Sequence, residues 1–179
     1  MATEQMGLTD LLKHGLEDMY YAEARIQKAL PKMIAAAEDE ELKSGLEKHL
    51  EETAQQITML EEAFEAMGEK PRSEKCDAMD GILKEGDSLL KDFGGTAAGD
   101  AAIIFSCQAV EHYEIARYGS LRAYAELLGL EQVASLMSDI LEQEEAADDL
   151  LSEIAEERAN PMAAGTSAED DEDEDEDDE

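Results

Sequence analysis

The sequence predicts an all-α fold: an antiparallel four-helix bundle with one long crossover that carries a short helix, followed by a disordered acidic C-terminal tail. Apolar residues recur at helical spacing in four stretches of about 25–30 residues each. The connections inside two pairs of these stretches are short, whereas the connection between the pairs is long. Period-two alternation with β-branched residues is missing from the sequence, so we expect no sheet.

The first two stretches lie before residue 70 and predict the first pair of helices. The first stripe has Thr9 or Asp10 as its expected N-cap, and Pro31 inside it predicts a kink rather than an end. After an acidic link at residues 38–41, the second stripe runs to Gly68, a usual helix stop. So short a link makes the pair an antiparallel hairpin. The stripe positions are Leu12, Leu16, Met19, Ile26, Leu30 and Met33, then Leu42, Leu46, Thr53, Met59, Leu60 and Ala63.

The other two stretches predict a second hairpin, with a turn at Gly129. Between the hairpins lie about 30 residues, 69–98, with a short amphipathic piece near residues 79–90. That segment is long enough to cross the length of a bundle, which is the ferritin-like arrangement. The stripe positions of the second pair are Ile104, Gln108, Ile115, Tyr118, Leu121 and Ala125, then Val133, Met137, Ile140, Ala147, Leu151 and Ile154.

Length and charge exclude several classes of function. A chain of 179 residues with 43% apolar content can bury the core of one domain, which we expect at residues 1–159. Lys and Arg number 14 against 47 Asp and Glu, a formal charge of −33, which argues against binding to nucleic acid or membranes and against a DNA-protecting ferritin relative. Two cysteines, no secretory signal and no apolar span predict a reduced, cytoplasmic setting.

Residues 160–179 form the predicted acidic tail. The last eleven residues are all Asp or Glu, and Pro161 and Gly165 mark the expected end of helix. Two interpretations stay open: a solvated run of charge without function, or a segment that binds a protein partner. Without those eleven residues the chain still holds 36 acids against 14 bases, an excess that resembles proteins adapted to high salt.

Polar residues interrupt the apolar stripes near mid-length on all four helices. A carboxylate on a buried face is costly unless it is paired or binds a metal, so one such break per helix predicts a metal site in the core. Carboxylates with an imidazole and without converging thiolates suit iron or manganese. The candidate ligands are Glu23 on the first helix, His49 and Glu52 on the second, Glu111 and Glu114 on the third, and Glu144, Glu145 and Asp148 on the fourth.

A simpler interpretation competes with the metal site. Acids are so frequent here that Glu-x-x-Glu arises by chance, and a single His on an apolar face is more often a hydrogen-bonded core residue than a ligand. Coincidence across four helices is what favours the metal site. Glu144 competes with Glu145 because it continues the Ile140 stripe better. Cys107 is expected to be a buried structural thiol.

Five strings, in order along residues 8–158, resemble the YciF/YciE-like family of ferritin-like proteins: YYAEARIQKALPKM, KHLEETAQQITMLEEAFEAMG, CDAMDGIL, VEHYEIARYGSLRAYAELLG and LEQEEAADDLL. The resemblance implies a ferritin-like bundle, a centre of two metal ions, homodimers and an association with stress responses. In this chain the second helix reads His-x-x-Glu, which departs from the Glu-x-x-His order of ferritin and rubrerythrin relatives. Carried over by motif, the ligands are Glu23 in YAEA, His49 and Glu52 in KHLEET, Glu111 and Glu114 in EHYE, and Glu145 with Asp148 in EEAAD.

Two functions from different classes follow from these observations. The first is a ferritin-like protein with two iron or manganese ions that handles metal, oxygen or peroxide under stress. The alternative is a non-enzymatic helical bundle that binds a partner and keeps a vestigial or structural metal site. Metal content after purification without added salts separates the two.

Overall fold

Five long helices make up most of the structure, a computed structural model that describes residues 6–166. A π-helical turn, Ala155–Ala159, and a short helix α6, Asn160–Ala164, follow the fifth helix directly. The described range contains no strand, so the predicted all-α class is confirmed. The long helices are α1 Leu8–Ala36, α2 Glu40–Ala66, α3 Asp77–Phe93, α4 Gly99–Leu127 and α5 Glu131–Ile154.

Four of these helices share one core. Helices α1 and α5 each pack against both α2 and α4, and α3 packs on the outside of α1 and α4. Most predicted stripe positions are buried there, and Leu12, Leu42, Met137 and Ile140 are completely buried. In the part of the chain that the structure describes, no helix carries an apolar stretch long enough to cross a membrane.

The start of α1 differs from the sequence prediction. Gly7 is the N-cap, and the Asp10 carboxylate, inside the first turn, accepts a hydrogen bond of 2.8 Å from the Gly7 N–H. The prediction of Thr9 or Asp10 as the cap was therefore wrong, since Asp10 acts from the third helical position instead. Pro31 lies within α1, which continues to Ala36, as predicted.

Asp39 caps α2 and shortens the link between the first two helices to residues 37–39. Its side chain accepts hydrogen bonds of 2.9 Å from the N–H groups of Glu41 and Leu42. Glu40 and Glu41, expected in the link, belong to the first turn of α2. Negative charge is favourable there because it opposes the positive end of the helix dipole.

The helical part of the chain extends five residues beyond the predicted boundary at Ala159. Pro161 lies in the first turn of α6, where a missing N–H costs nothing, and Gly165 ends the helix with φ of 70°. The expectation of disorder from residue 160 is thus corrected at residues 160–164. The remaining acidic tail, residues 167–179, lies outside the described residues.

Candidate metal centre

Four side chains from α2, α4 and α5 meet in the core between the helices. One ligand atom from each of His49, Glu111, Glu114 and Glu144 lies within 4.8 Å of the others. All four residues are buried, and Glu114 and Glu144 are completely buried. The structure therefore brings together four of the eight residues that the sequence singled out.

Helical spacing explains how these side chains reach one place. Glu111 and Glu114 are three residues apart on α4 and so point to the same face. His49 lies on the buried face of α2 between Leu46 and Thr53. Glu144 follows Ile140 by one turn on the buried face of α5.

Glu23 brings α1 to the same region and is also completely buried. The Tyr118 hydroxyl donates a hydrogen bond to its Oε1 atom. Burial and the nearby charge of Glu144 raise the pKa of Glu23 to about 8, although the Tyr118 hydrogen bond acts in the opposite direction. All four helices of the core thus contribute a polar side chain to this region.

The buried acids repel one another. Burial is the main cause that raises the pKa of Glu111 and of Glu114 well above the usual range. Interaction with Glu144 raises the pKa of Glu111 further, and the charges of Glu23 and Glu144 do the same for Glu114. Carboxylates held this close need protons or a cation between them.

Eight buried polar atoms of this region find no hydrogen-bond partner among the described residues. They include both ring nitrogens of His49 and both carboxylate oxygens of Glu114, with one oxygen each from Glu23, Gln56, Glu111 and Glu144. His49 Nε2 lies 3.5 Å from Glu111 Oε1. Each unpaired buried group costs ~1–3 kcal/mol, so this many in one place points to a bound species. Nitrogen and oxygen donors at this density fit a metal ion.

Gln56 is a member of the site that the sequence analysis missed. It is completely buried, and its amide donates hydrogen bonds to Glu144 Oε1 and, at 3.0 Å, to Gln143 Oε1. A signal was available, because Gln56 continues the apolar stripe of α2 between Thr53 and Leu60. Its hydrogen bond fixes the orientation of the Glu144 carboxylate.

Glu52 and Glu145 lie outside the group of four. Glu52 is half-buried and forms an ion pair of 2.8 Å with the exposed Lys48, four residues earlier on α2. Glu145 is exposed on α5. Between Glu144 and Glu145, the structure therefore places Glu144 in the core.

Asp148 lies closer to the surface than the group of four. Its Oδ2 atom is 3.1 Å from Nε2 of the exposed His112, and its Oδ1 atom accepts a hydrogen bond of 3.3 Å from Gln108. These partners hold the carboxylate between α4 and α5. The sequence analysis had not paired Asp148 with either residue.

Cys107 lies one turn before Glu111 and is buried. Burial and, secondarily, the charge of Glu111 raise the pKa of the Cys107 thiol to about 12. The thiol therefore stays protonated at neutral pH. Cys107 does not belong to the group of four, whose donor atoms are nitrogen and oxygen.

Comparisons with known sequences place the chain in a family. A family model described as "Domain of unknown function (DUF892)" matches residues 7–164. Protein YciF of Escherichia coli (strain K12) is 37% identical over 157 residues, which cover 87% of this chain and 95% of YciF.

Solved structures agree with the sequence match. The match to the crystal structure of the E. coli stress protein YciF has 35% sequence identity and a TM-score of 0.81. It covers 89% of this chain and 99% of the YciF chain. YcfI of Rhodopseudomonas palustris, provisionally described as a structural protein, is 45% identical with a TM-score of 0.81, covering 85% of this chain and 97% of its own. A protein of Xanthomonas campestris pv. campestris is 26% identical with a TM-score of 0.68, covering 88% and 96%. The chain therefore belongs to the DUF892 family and is a homologue of YciF, which confirms the family resemblance seen in its sequence.

Proposed function

We propose that this protein is a ferritin-like four-helix bundle that binds two iron or manganese ions and handles metal, oxygen or peroxide under stress. The observation that carries the proposal is the group of eight buried polar atoms around His49, Glu111, Glu114 and Glu144 that lack a hydrogen-bond partner within residues 6–166. The description of the homologous YciF as a stress protein supports the stress context.

The donor set favours iron or manganese over a zinc–thiolate site. One imidazole and several carboxylates are hard or borderline ligands, and such ligands suit these two metals. The group of four supplies ligands for a first ion, and we assign the second to Glu23 and Glu52, which extend the site along α1 and α2. Two ions bridged by carboxylates can be oxidised together, which is the chemistry that such a centre supplies.

The surrounding residues orient the carboxylates and exclude water. Gln56 holds Glu144 and Tyr118 holds Glu23 through hydrogen bonds inside the core. Glu23 and Glu144 each keep one buried carboxylate oxygen without a partner among the described residues. Complete burial of Glu23, Glu114 and Glu144 lowers the local dielectric constant, so a cation is held more strongly than at the surface.

Two neighbouring residues offer a matched test of the site. Glu144→Gln keeps the shape of a buried side chain but removes its charge, whereas Glu145→Gln makes the same change on the exposed face. We expect Glu144→Gln to lower the iron or manganese content per chain strongly and Glu145→Gln to leave it unchanged. The measurement is metal per chain by mass spectrometry after incubation with Fe(II) or Mn(II), with helicity checked by circular dichroism.

Equal metal contents in the wild type and Glu144→Gln would contradict the proposed site, and near-zero contents in every variant would contradict the metalloprotein itself. Anomalous scattering at the iron and manganese edges then identifies the metal in a crystal of the wild type.

Glu52→Gln tests the assignment of the second ion. Glu52 lies three residues after His49 on α2 but outside the group of four, so its loss should remove the second ion and keep the first. We expect metal content to fall to about half of the wild-type value, a smaller loss than in Glu144→Gln. An unchanged content in Glu52→Gln would show that Glu52 is not a ligand.

A second candidate function is a non-enzymatic interaction protein with a vestigial or structural metal site. The provisional description of the similar YcfI as a structural protein favours it. In that case the acidic tail is the natural segment for binding a protein partner, and homodimers, which we also propose, supply the assembly. If the site is vestigial, wild-type protein purified without added metal salts would contain no iron or manganese.

A further inference from the structure

An apolar cavity of about 30 Å³ lies between α1, α3 and α4 and ends on the proposed metal centre. His49 and Glu111, two of the candidate ligands, are among the residues that line it. Its walls are mostly apolar, formed by Ile26, Leu30, Met33, Ile82, Leu83 and Val110, and Ser106 and Cys107 also line it. The cavity therefore connects the crossover helix α3 with the His49 side of the centre.

Gly86 on α3 lines this cavity, and a side chain at this position would press on two other lining residues. A Cβ atom at this position would lie 3.2 Å from Met33 Cε and 3.3 Å from Ser106 Cβ. Gly86 is buried in the interior of a helix, where glycine is less favourable than alanine. The close packing of α3 against α1 and α4 accounts for a glycine at this position.

The walls select the kind of molecule that can enter. Aliphatic side chains offer nothing to replace the hydration of a metal cation or an anion, so ions are excluded. Peroxide, which needs several hydrogen bonds, is disfavoured for the same reason. One water molecule needs ~10–15 Å³ of such cavity volume, so the cavity has room for a diatomic molecule. Apolar cavities take up xenon or small apolar ligands.

We infer that the cavity under α3 admits a small uncharged molecule of the dioxygen class to the metal centre. The inference rests on the proposed function and narrows it, because it selects oxygen over peroxide as the co-reactant.

A smaller crevice of about 20 Å³ between α2 and α5 also reaches His49 and Glu111. There, the side chain of Leu150 lies against Gly45, with Cδ2 only 3.0 Å from where a Cβ atom would be.

Xenon tests the cavity without any metal. Crystals of the metal-free wild type under xenon pressure should show the atom between α1, α3 and α4, beside Val110. Gly86→Ala should abolish this peak, and Gly81→Ala should retain it, because no described atom lies within 4 Å of a Cβ at Gly81 on the same helix. Should Gly86→Ala fail to fold, Ala29→Leu fills the cavity from α1 instead.

Oxygen consumption by the Fe(II)-loaded protein is the second readout. We expect Gly86→Ala to bind as much metal as the wild type and to consume oxygen severalfold more slowly, with Gly81→Ala unchanged. Absence of xenon from the wild-type cavity, xenon only in the α2–α5 crevice, or equal oxygen rates in all three proteins would overturn the inference. Xenon binding in a protein that takes up no metal would instead contradict the proposed function and leave the cavity intact.

Discussion

At the scale of single residues, the buried acids determine how stability and metal binding depend on pH. Glu23, Glu111 and Glu114 have raised pKa values mainly because burial penalises their charged forms. In the metal-free protein they take up protons that the unfolded chain releases at neutral pH. The same carboxylates bind a cation only after they lose those protons. Stability and metal binding therefore depend on pH in opposite directions.

The metal-free protein should lose stability as pH rises from about 5 to 8. An acid whose pKa rises from the ordinary 4.5 to about 8, as for Glu23, binds more protons in the folded state across that interval. Its favourable contribution is complete below the unfolded pKa and is lost as pH passes the folded pKa. Urea unfolding in chelator and constant high salt measures this, and Glu23→Gln should flatten the dependence.

High salt in that experiment screens the surface carboxylates, so that the slope reports the buried ones. A metal-free protein that is more stable at pH 8 than at pH 5 would contradict the prediction. Added Fe(II) or Mn(II) should raise the stability most at the higher pH, because fewer protons then compete with the metal for the carboxylates.

At the scale of whole helices, glycine permits the closest contacts in the core. A Cβ atom at Gly15 on α1 would lie 2.5 Å from Cδ2 of Leu121 on α4, and Leu121 is buried. The same short distance between α1 and α4 lets Tyr118, one turn before Leu121, reach Glu23. Helix spacing and the orientation of a candidate ligand are thus linked.

Gly15→Ala should destabilise the fold by ~1–3 kcal/mol, because the new methyl group overpacks the contact with Leu121. Gly119→Ala on α4 should instead stabilise it by ~0.5–1 kcal/mol, since alanine favours helix and no described atom lies within 4 Å of the added Cβ. Urea unfolding of both variants tests the pair. Equal effects of the two substitutions would show that the α1–α4 contact can relax without cost.

At the scale of the whole molecule, repulsion between acids opposes folding. Some of the few basic residues join separate segments: Lys13 pairs with Glu69, Lys32 with Asp87, and Arg158 with Asp39 and Glu41. Exposed pairs of this kind stabilise a protein only slightly. The formal charge of −33 is the excess that remains after every basic residue has been counted, so the ion pairs do not reduce it.

Stability should therefore rise between low and molar KCl, because screening weakens the repulsion more than it weakens the exposed ion pairs. Thermal melting across that range measures the effect. A chain that ends at Thr166 should show a smaller dependence on salt, since it lacks the eleven terminal acids, but should keep a positive one. A melting temperature that is flat or falls with KCl in the full chain would contradict the prediction.

Much of the helical framework was predictable because its signals are local. Apolar residues at helical spacing predicted the long helices. The short links after Ala36 and Leu127 predicted that α1 packs against α2 and α4 against α5. The same periodicity exposed the buried acids, because a carboxylate such as Glu23 or Glu114 interrupts an otherwise apolar stripe. The end of the last helix was predicted less well, because Pro161 is tolerated in the first turn of α6 and does not end the helical part of the chain.

The membership of the site was decided by packing between helices. Successive residues on a helix point about 100° apart, so the rotation of α5 about its axis determines whether Glu144 or Glu145 enters the core. Glu52 shares the spacing of a ligand, but Lys48 pairs with it at the edge of α2. Gln56 became part of the site because α5 brings Glu144 to it, and the cavity exists because α3 packs over α1 and α4. Periodicity along one helix carries no information about how its neighbours are rotated, and that rotation selects which polar atoms face one another.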